Sequence, residues 1–195
     1  IPQGSTLGIL GGTGSGKSTL VQLLNRLYEL QEGQGEITLG GKNIREIPLE
    51  WLRNNIGIVL QEPFLYSRTI KENIAASVPD ATMEEIRQAA KIACVDDTIM
   101  SFPDGYDTLV GERGVTLSGG QRQRVAIARM LLQKAPIMIF DDSLSAVDSQ
   151  TDAKIRKALS QSCKNATVIL ISHRITTLMG ADQILVLNQG KIQER

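Results

Sequence analysis

One stretch, Gly11-Gly12-Thr13-Gly14-Ser15-Gly16-Lys17-Ser18, restricts the possible folds of this chain more than any other. Glycine, four free positions and then Gly-Lys-Ser stand between an apolar run at residues 7–10 and an amphipathic stretch at residues 19–27. That context predicts a strand, a phosphate-binding loop and a helix in succession. Glycines let the backbone wrap an anion with its N–H groups pointing inward, and the helix N-terminus adds its positive dipole end. Lys17 is expected to reach the β- and γ-phosphates of a nucleotide, and the Ser18 hydroxyl to sit on Mg²⁺. Gly12, Thr13, Gly14, Ser15, Gly16 and Thr19 complete the expected cradle.

The pattern along the chain continues that theme. A polar, Gly-rich turn at residues 31–35 leads to a strand at 36–39, a Gly40-Gly41 turn and a short return at 42–44, which reads as a hairpin. Residues 49–54 fit a short helix, and 56–60 a buried strand that presents Gln61 at its end. From residue 69 to about 100 the spacing becomes helical, at 69–76, 82–93 and 95–100, with Pro79 separating the first two. Thr82 with Glu85 three positions on predicts a capping box. Strand patterns return at 137–140, 167–171 and 183–188, with helical spacing at 122–133 and 151–161. Strands alternating with helices predict a parallel α/β core, and the helical stretch predicts a separate lobe inserted into it.

Composition excludes several classes. Lys plus Arg equals Asp plus Glu at 21 each, so no basic field suggests a nucleic-acid partner. No run approaches 18 apolar residues, the length a membrane helix requires. Cys94 and Cys163 lie far apart in helical surroundings and read as reduced thiols. The start, Ile1-Pro2-Gln3-Gly4, has neither methionine nor a charged leader, and a fragment of a longer polypeptide is expected.

Further motifs stand in a telling order. Leu117-Ser118-Gly119-Gly120-Gln121 precedes the helical stretch at 122–133, and Ile137-Met138-Ile139-Phe140-Asp141-Asp142 follows it. The second is a buried, β-prone run that delivers the Asp141 carboxylate at a strand's C-terminal end. Gln61 comes before them; Ser145-Ala146-Val147-Asp148 and His173 come after. Together these motifs resemble the nucleotide-binding domain of an ATP-binding cassette (ABC) transporter, over nearly the whole chain from Leu7. Residues 62–74 and 104–114, including Val110-Gly111-Glu112-Arg113, resemble the exporter type.

The resemblance implies an α/β fold: a P-loop NTPase core with a mostly parallel sheet, a small antiparallel β portion and an inserted helical subdomain. Residues 1–68 and 134–195 would form the core and 69–133 the helical part of one domain, with a transmembrane domain of the same polypeptide upstream. It implies an ATPase that binds ATP and Mg²⁺, on the cytoplasmic face of a membrane, and that drives export. Ser18, Gln61 and Asp141 would attend the metal, and Gln61, Asp142 and His173 the hydrolysis. In the family, two such domains meet head to tail. Ser118, Gly119, Gly120 and Gln121 would then close over the nucleotide of a second nucleotide-binding domain, and Ser145 to Asp148 would communicate across the interface.

One position departs from the family pattern. Asp142 stands where a glutamate usually polarises the hydrolytic water. Its carboxylate is withdrawn by about 1.5 Å, one carbon–carbon bond, although a general base must lie within roughly 2.6–3.2 Å of its proton. The expected state is therefore a heterodimer with one impaired site, with a homodimer as the alternative. An ATP-binding regulatory module with little hydrolysis and a soluble, non-transport ABC ATPase are rival readings. The family's adenine-stacking aromatic falls outside these residues; Tyr28 follows the loop's helix and does not supply it. The transported substrate is not readable, since the resemblance places its contacts in the membrane domain.

Overall fold

A computed structural model of the chain describes residues 1–111, 116–143, 147–162 and 165–195. In chain order its elements are β1 (Thr6–Gly11), α1 (Lys17–Leu24), β2 (Thr38–Leu39), β3 (Lys42–Asn43), α2 (Leu49–Asn55), β4 (Ile56–Val59), α3 (Ile70–Ile74), α4 (Met83–Ile92), α5 (Asp96–Met100) and α6 (Gly119–Gln133). There follow β5 (Ile137–Asp141), α7 (Ser149–Ser162), β6 (Thr167–Ser172), α8 (Ile175–Leu178), β7 (Gln183–Asn188) and β8 (Lys191–Glu194).

The chain divides into two units. The first comprises Ile1–Gly57, Ala135–Asp141 and Ala166–Arg195; the second comprises Ile58–Lys134 and Asp142–Asn165. Residues 58–68 and α7, placed with the core by the sequence reading, fall in the helical unit, where α7 packs against α4.

A six-stranded sheet runs in the order β4-β5-β6-β1-β7-β8 and, apart from the last two residues of β4, belongs to the first unit. β1 lies parallel to β6 and to β7, and β5 lies parallel to β6. β1, β5 and β6 are short, largely aliphatic runs with covered side chains, and Ile9, Ile139, Phe140 and Ile171 are all buried. β8 closes the edge antiparallel to β7. Its Lys-Ile-Gln-Glu sequence is exposed throughout and carries no apolar face, which is why no strand was expected there. The hairpin at Gly40-Gly41 forms as read, though its ladder is only Thr38↔Asn43 and Leu39↔Lys42.

The second unit is helical. α6 packs on α3 and α4, and its Val125, Ile127, Ala128, Met130 and Leu131 are buried. The capping box expected at Thr82 is present, with the Glu85 N–H donating to Thr82 Oγ1 at 3.3 Å and the Thr82 N–H to Glu85 Oε2 at 3.1 Å. Thr69 with Glu72 and Ser118 with Gln121 form two more boxes of the same kind. Helix starts differ from the sequence reading in a consistent way: α1 begins at Lys17 and α6 at Gly119, because glycines and polar residues of the loops supply first turns that hydrophobic spacing cannot reveal.

Candidate nucleotide site

The first unit assembles the phosphate loop from strand to helix. β1 ends at Gly11, and Gly16 takes a left-handed conformation (φ 101°) as the N-cap of α1, with no side chain capping the helix. The N-terminus of α1 brings its positive dipole end to the loop, a place suited to an anion. The Ser15 N–H donates to Gly12 O at 3.2 Å and closes the turn, while the Gly190 N–H donates to Ser15 O at 3.0 Å and braces it from behind. Lys17 is buried, and its Nζ donates to Gly11 O and Gly12 O, each at 2.7 Å, and to Ser15 Oγ at 3.4 Å. The ammonium thus sits inside the concavity of the loop. Around Gly12 and Gly14 there is open space, which leaves room for a ligand against the backbone. Ser18 and Thr19 lie exposed on the first turn of α1.

Asp141 and His173 belong to the same unit and the same sheet edge. Asp141 pairs in register with Ile171, and Ile171 with Ile9, so one row crosses β5, β6 and β1. Beyond that row each parallel strand leaves the sheet at its C-terminal end: β5 stops at Asp141, β6 leads to His173 and β1 leads into the loop. Two strand spacings of ~4.8 Å put the strand of Asp141 about 10 Å from the strand of the loop. α1 lies against β5, the strand that carries Asp141. His173 is exposed, and Asp141 is buried.

In the second unit, Gln61 is exposed just past β4, and Gln123 of α6 donates from Nε2 to its carbonyl at 3.1 Å. Ser118 caps α6: the Gln121 N–H donates to Ser118 Oγ at 3.3 Å, and the Ser118 N–H to Gln121 Oε1 at 2.8 Å. Those two side chains hold each other, and the N–H groups of Gly119 and Gly120 stand at the helix end without an intrahelical acceptor. Asp142 is buried and takes a left-handed backbone, φ 46°. Of the Ser145 to Asp148 motif, Ser145 and Ala146 lie outside the described residues. Val147 is buried, and Asp148 accepts the Thr151 N–H at 2.9 Å, a bond that holds its carboxyl below the ordinary value. Glu112, Arg113 and Gly114, and likewise Cys163, also lie outside the described residues.

The two exporter-like stretches, read separately in the sequence, prove to be joined. The Ile70 N–H donates to Thr108 O and the Val110 N–H to Arg68 O, both at 3.0 Å, around a Thr69↔Leu109 bridge. A Cβ on Gly111 would stand 2.6 Å from Ser67 Oγ and 3.3 Å from Ser67 Cα, so the close approach needs glycine. Asn73 falls within the exporter-like stretch at 62–74 but was given no role there, and Gln123 and Arg129, which also hold the chain at and beyond Gln61, belong to no motif. Buried polar side chains that serve backbone carbonyls carry no periodic signal.

A domain with this sheet, a phosphate loop at the end of its central strand and an acidic strand end beside it belongs among the P-loop ATPases. The family described as ABC transporter matches residues 1–145. The chain belongs to the ABC transporter family, whose ATPase domain binds ATP. It is 52% identical over 192 residues to YknU of Bacillus subtilis (strain 168), named an uncharacterized ABC transporter ATP-binding protein, covering 98% of this chain and 32% of that one. It is 47% identical over 195 residues to the mitochondrial iron-sulfur clusters transporter ABCB7 of Oryzias latipes, covering 100% of this chain and 26% of the relative. Among solved structures, a bacterial Atm1-family ABC exporter with ATP bound superposes with a TM-score of 0.94 at 42% identity, over 100% of this chain and 34% of that one. The chain thus spans about a third or less of these proteins' length. Among the described residues no helix is long and apolar enough to cross a membrane.

Proposed function

We propose that the chain binds and hydrolyses MgATP and that this cycle drives export through a transmembrane domain of the same polypeptide, from the cytoplasmic face of the membrane. The observation that carries the reading is the sheet edge of the first unit, where the loop around Lys17, the Asp141 carboxylate and His173 leave three parallel strands on one side. Lys17 takes the β- and γ-phosphates, and the N–H groups of residues 12–19 wrap the chain of phosphates. His173 meets the γ-phosphate.

The donor set fits Mg²⁺. Among the described residues no cluster of His, Cys, Asp or Glu could cage a metal on its own. One carboxylate with a hydroxyl suits a cation that keeps part of its water and takes phosphate oxygens as ligands. Ser18 and Asp141 would hold it, with Gln61 beside it, and the bound ion would offset phosphate charge. Asp142 orients the attacking water from a carboxylate one methylene shorter than glutamate.

A second copy of such a domain completes the arrangement. Gly119 and Gly120 present N–H groups at the start of α6, and with Ser118 and Gln121 they cover the nucleotide held by a partner. Asp142 favours a heterodimer, in which a partner with glutamate forms a competent site closed by this chain's Ser118 to Gln121. The site built on this chain's own Lys17 and Asp141 turns over slowly. The regulatory-module reading rests on the same residue and differs only in how far the rate falls.

Phosphate release by the full-length protein with MgATP tests the proposal. Slow turnover is expected of the natural protein on its own, with its loss in Lys17→Ala and in Ser118→Arg; rapid turnover without a partner would defeat the heterodimer. Unchanged turnover in both variants would overturn the assignment of the loop and of the signature.

A further inference from the structure

The backbone leaving Gln61 runs beside α6 and is held there at two points. Besides the bond from Gln123 to Gln61 O, Arg129 Nη1 donates to Phe64 O at 3.0 Å. Six helical positions separate Gln123 from Arg129, about 9 Å at ~1.5 Å per residue. The two carbonyls, three residues apart in the arm, are thus both held by side chains of this one helix.

A single buried amide then fixes the far end of the arm. Asn73 has 0% of its surface exposed. Its Oδ1 accepts the Tyr66 N–H at 2.8 Å, and its Nδ2 donates to Tyr66 O at 2.9 Å, Thr69 O at 3.1 Å and Arg68 O at 3.4 Å. Arg129 grips the same residue, with Nε on Asn73 O at 2.7 Å and Nη2 on Asn73 Oδ1 at 3.1 Å. Its guanidinium also lies 5.6 Å from the centre of the Tyr66 ring. Among the described residues no carboxylate pairs with Arg129. Its partners are neutral, so the planar fork acts through geometry. Arg68 O, on which Asn73 closes, is also the acceptor for the Val110 N–H.

The arm has little else to hold it. Phe64 and Tyr66 are exposed, 69% and 45%, so burial of their rings cannot fix the backbone. We infer that Asn73 and Arg129 are positioning residues that make the Gln61 arm, the 108–111 segment and the Ser118 helix one mechanical piece. This rests on the function proposed above, in which Gln61 serves the chain's own nucleotide and Ser118 to Gln121 serve the partner's. The two groups then cannot move independently, and each chain carries its own link between the two nucleotides.

The test uses the full-length protein with Asn73→Asp and Arg129→Lys. Asn73→Asp keeps an acceptor for Arg129 and for the Tyr66 N–H but loses three donated bonds; Arg129→Lys keeps the charge and loses the fork. Hydrogen exchange read by mass spectrometry is expected to speed up roughly tenfold or more in residues 61–68 and 108–111 together, with β1 unchanged. The kcat for ATP is expected to fall about tenfold while KM stays within about twofold, since neither variant touches the phosphate loop. Unchanged exchange, exchange raised in only one of the two segments, or a change in KM alone would overturn the inference. Should Asn73→Asp also lose protection in β1, Arg129→Lys decides by the same criteria. A natural protein that hydrolyses no ATP would defeat the proposed function, and the exchange pattern would still decide the clamp.

Discussion

Two residues show how much a single position can settle. A Cβ on Gly11 would come within 2.5 Å of Ser15 Oγ and 2.6 Å of Leu187 O, and the carbonyl cannot swing away; a Cβ on Gly12 would meet nothing within 4 Å. Gly11→Ala is therefore expected to cost roughly 1–3 kcal/mol of stability through overpacking, and Gly12→Ala far less, as thermal unfolding of the two variants will show. Equal melting temperatures would contradict the packing account. The motif already separates the two, since Gly11 is its fixed glycine and Gly12 one of its free positions; the packing reason lies partly in β7, over 170 residues away in sequence, which no local pattern can reveal. Asp142 is the opposite case, plain in the sequence. If its short side chain limits hydrolysis, Asp142→Glu should raise phosphate release by roughly ten- to a hundredfold. A rate at or below that of the natural protein would remove Asp142 as the limiting group.

Among the elements, those with strong periodicity or a defined start signal were read from sequence, and those held by distant polar contacts were not. β1, β5, β6 and β7 are uninterrupted apolar runs, and α4 has both an apolar face and the Thr82–Glu85 box. The boxes at Thr69 and Ser118 have the same Ser/Thr-x-x-Glu/Gln spelling but open onto glycine-rich or five-residue helices, where the spacing signal is too short to draw notice. Nor could sequence show that α5 is fixed by a buried charge. Asp96 accepts from Arg87 Nε and Nη2 at 3.3 and 3.2 Å and from the Tyr106 hydroxyl at 2.6 Å. Burial opposes its charge, yet the bonds from Arg87 and Tyr106 outweigh it and hold the carboxyl below its ordinary value. Burial, with that same bond, pushes the Tyr106 hydroxyl far above its ordinary range. A lowered carboxyl pKa stabilises the fold above the unfolded value of about 3.9, and the gain disappears as pH falls through the folded value. Asp96→Asn is thus expected to lower stability by roughly 1–3 kcal/mol at pH 7, and the penalty to shrink progressively as pH falls below about 3.9. A penalty that stays constant as the protein is titrated from pH 7 down to its acid unfolding would contradict the charge-based account.

For the whole molecule, motif order carried the fold class and the family, because loop, signature and acidic strand end are each tied to one backbone geometry. The division into units was less visible: α7 reads as another helix of the alternating core, and only its packing on α4 assigns it to the helical unit. The link between the two exporter-like stretches was hidden for a similar reason, being made of backbone bonds from Ile70 and Val110 that any side chain would permit. At this scale every functional statement depends on one premise, that the loop around Lys17 holds the phosphates of ATP. Calorimetric titration of MgATP into the full-length protein and into its Lys17→Ala variant measures that premise. The account predicts saturable binding to the natural protein and affinity at least tenfold weaker in the variant, with melting temperatures alike; equal affinity in both would contradict it.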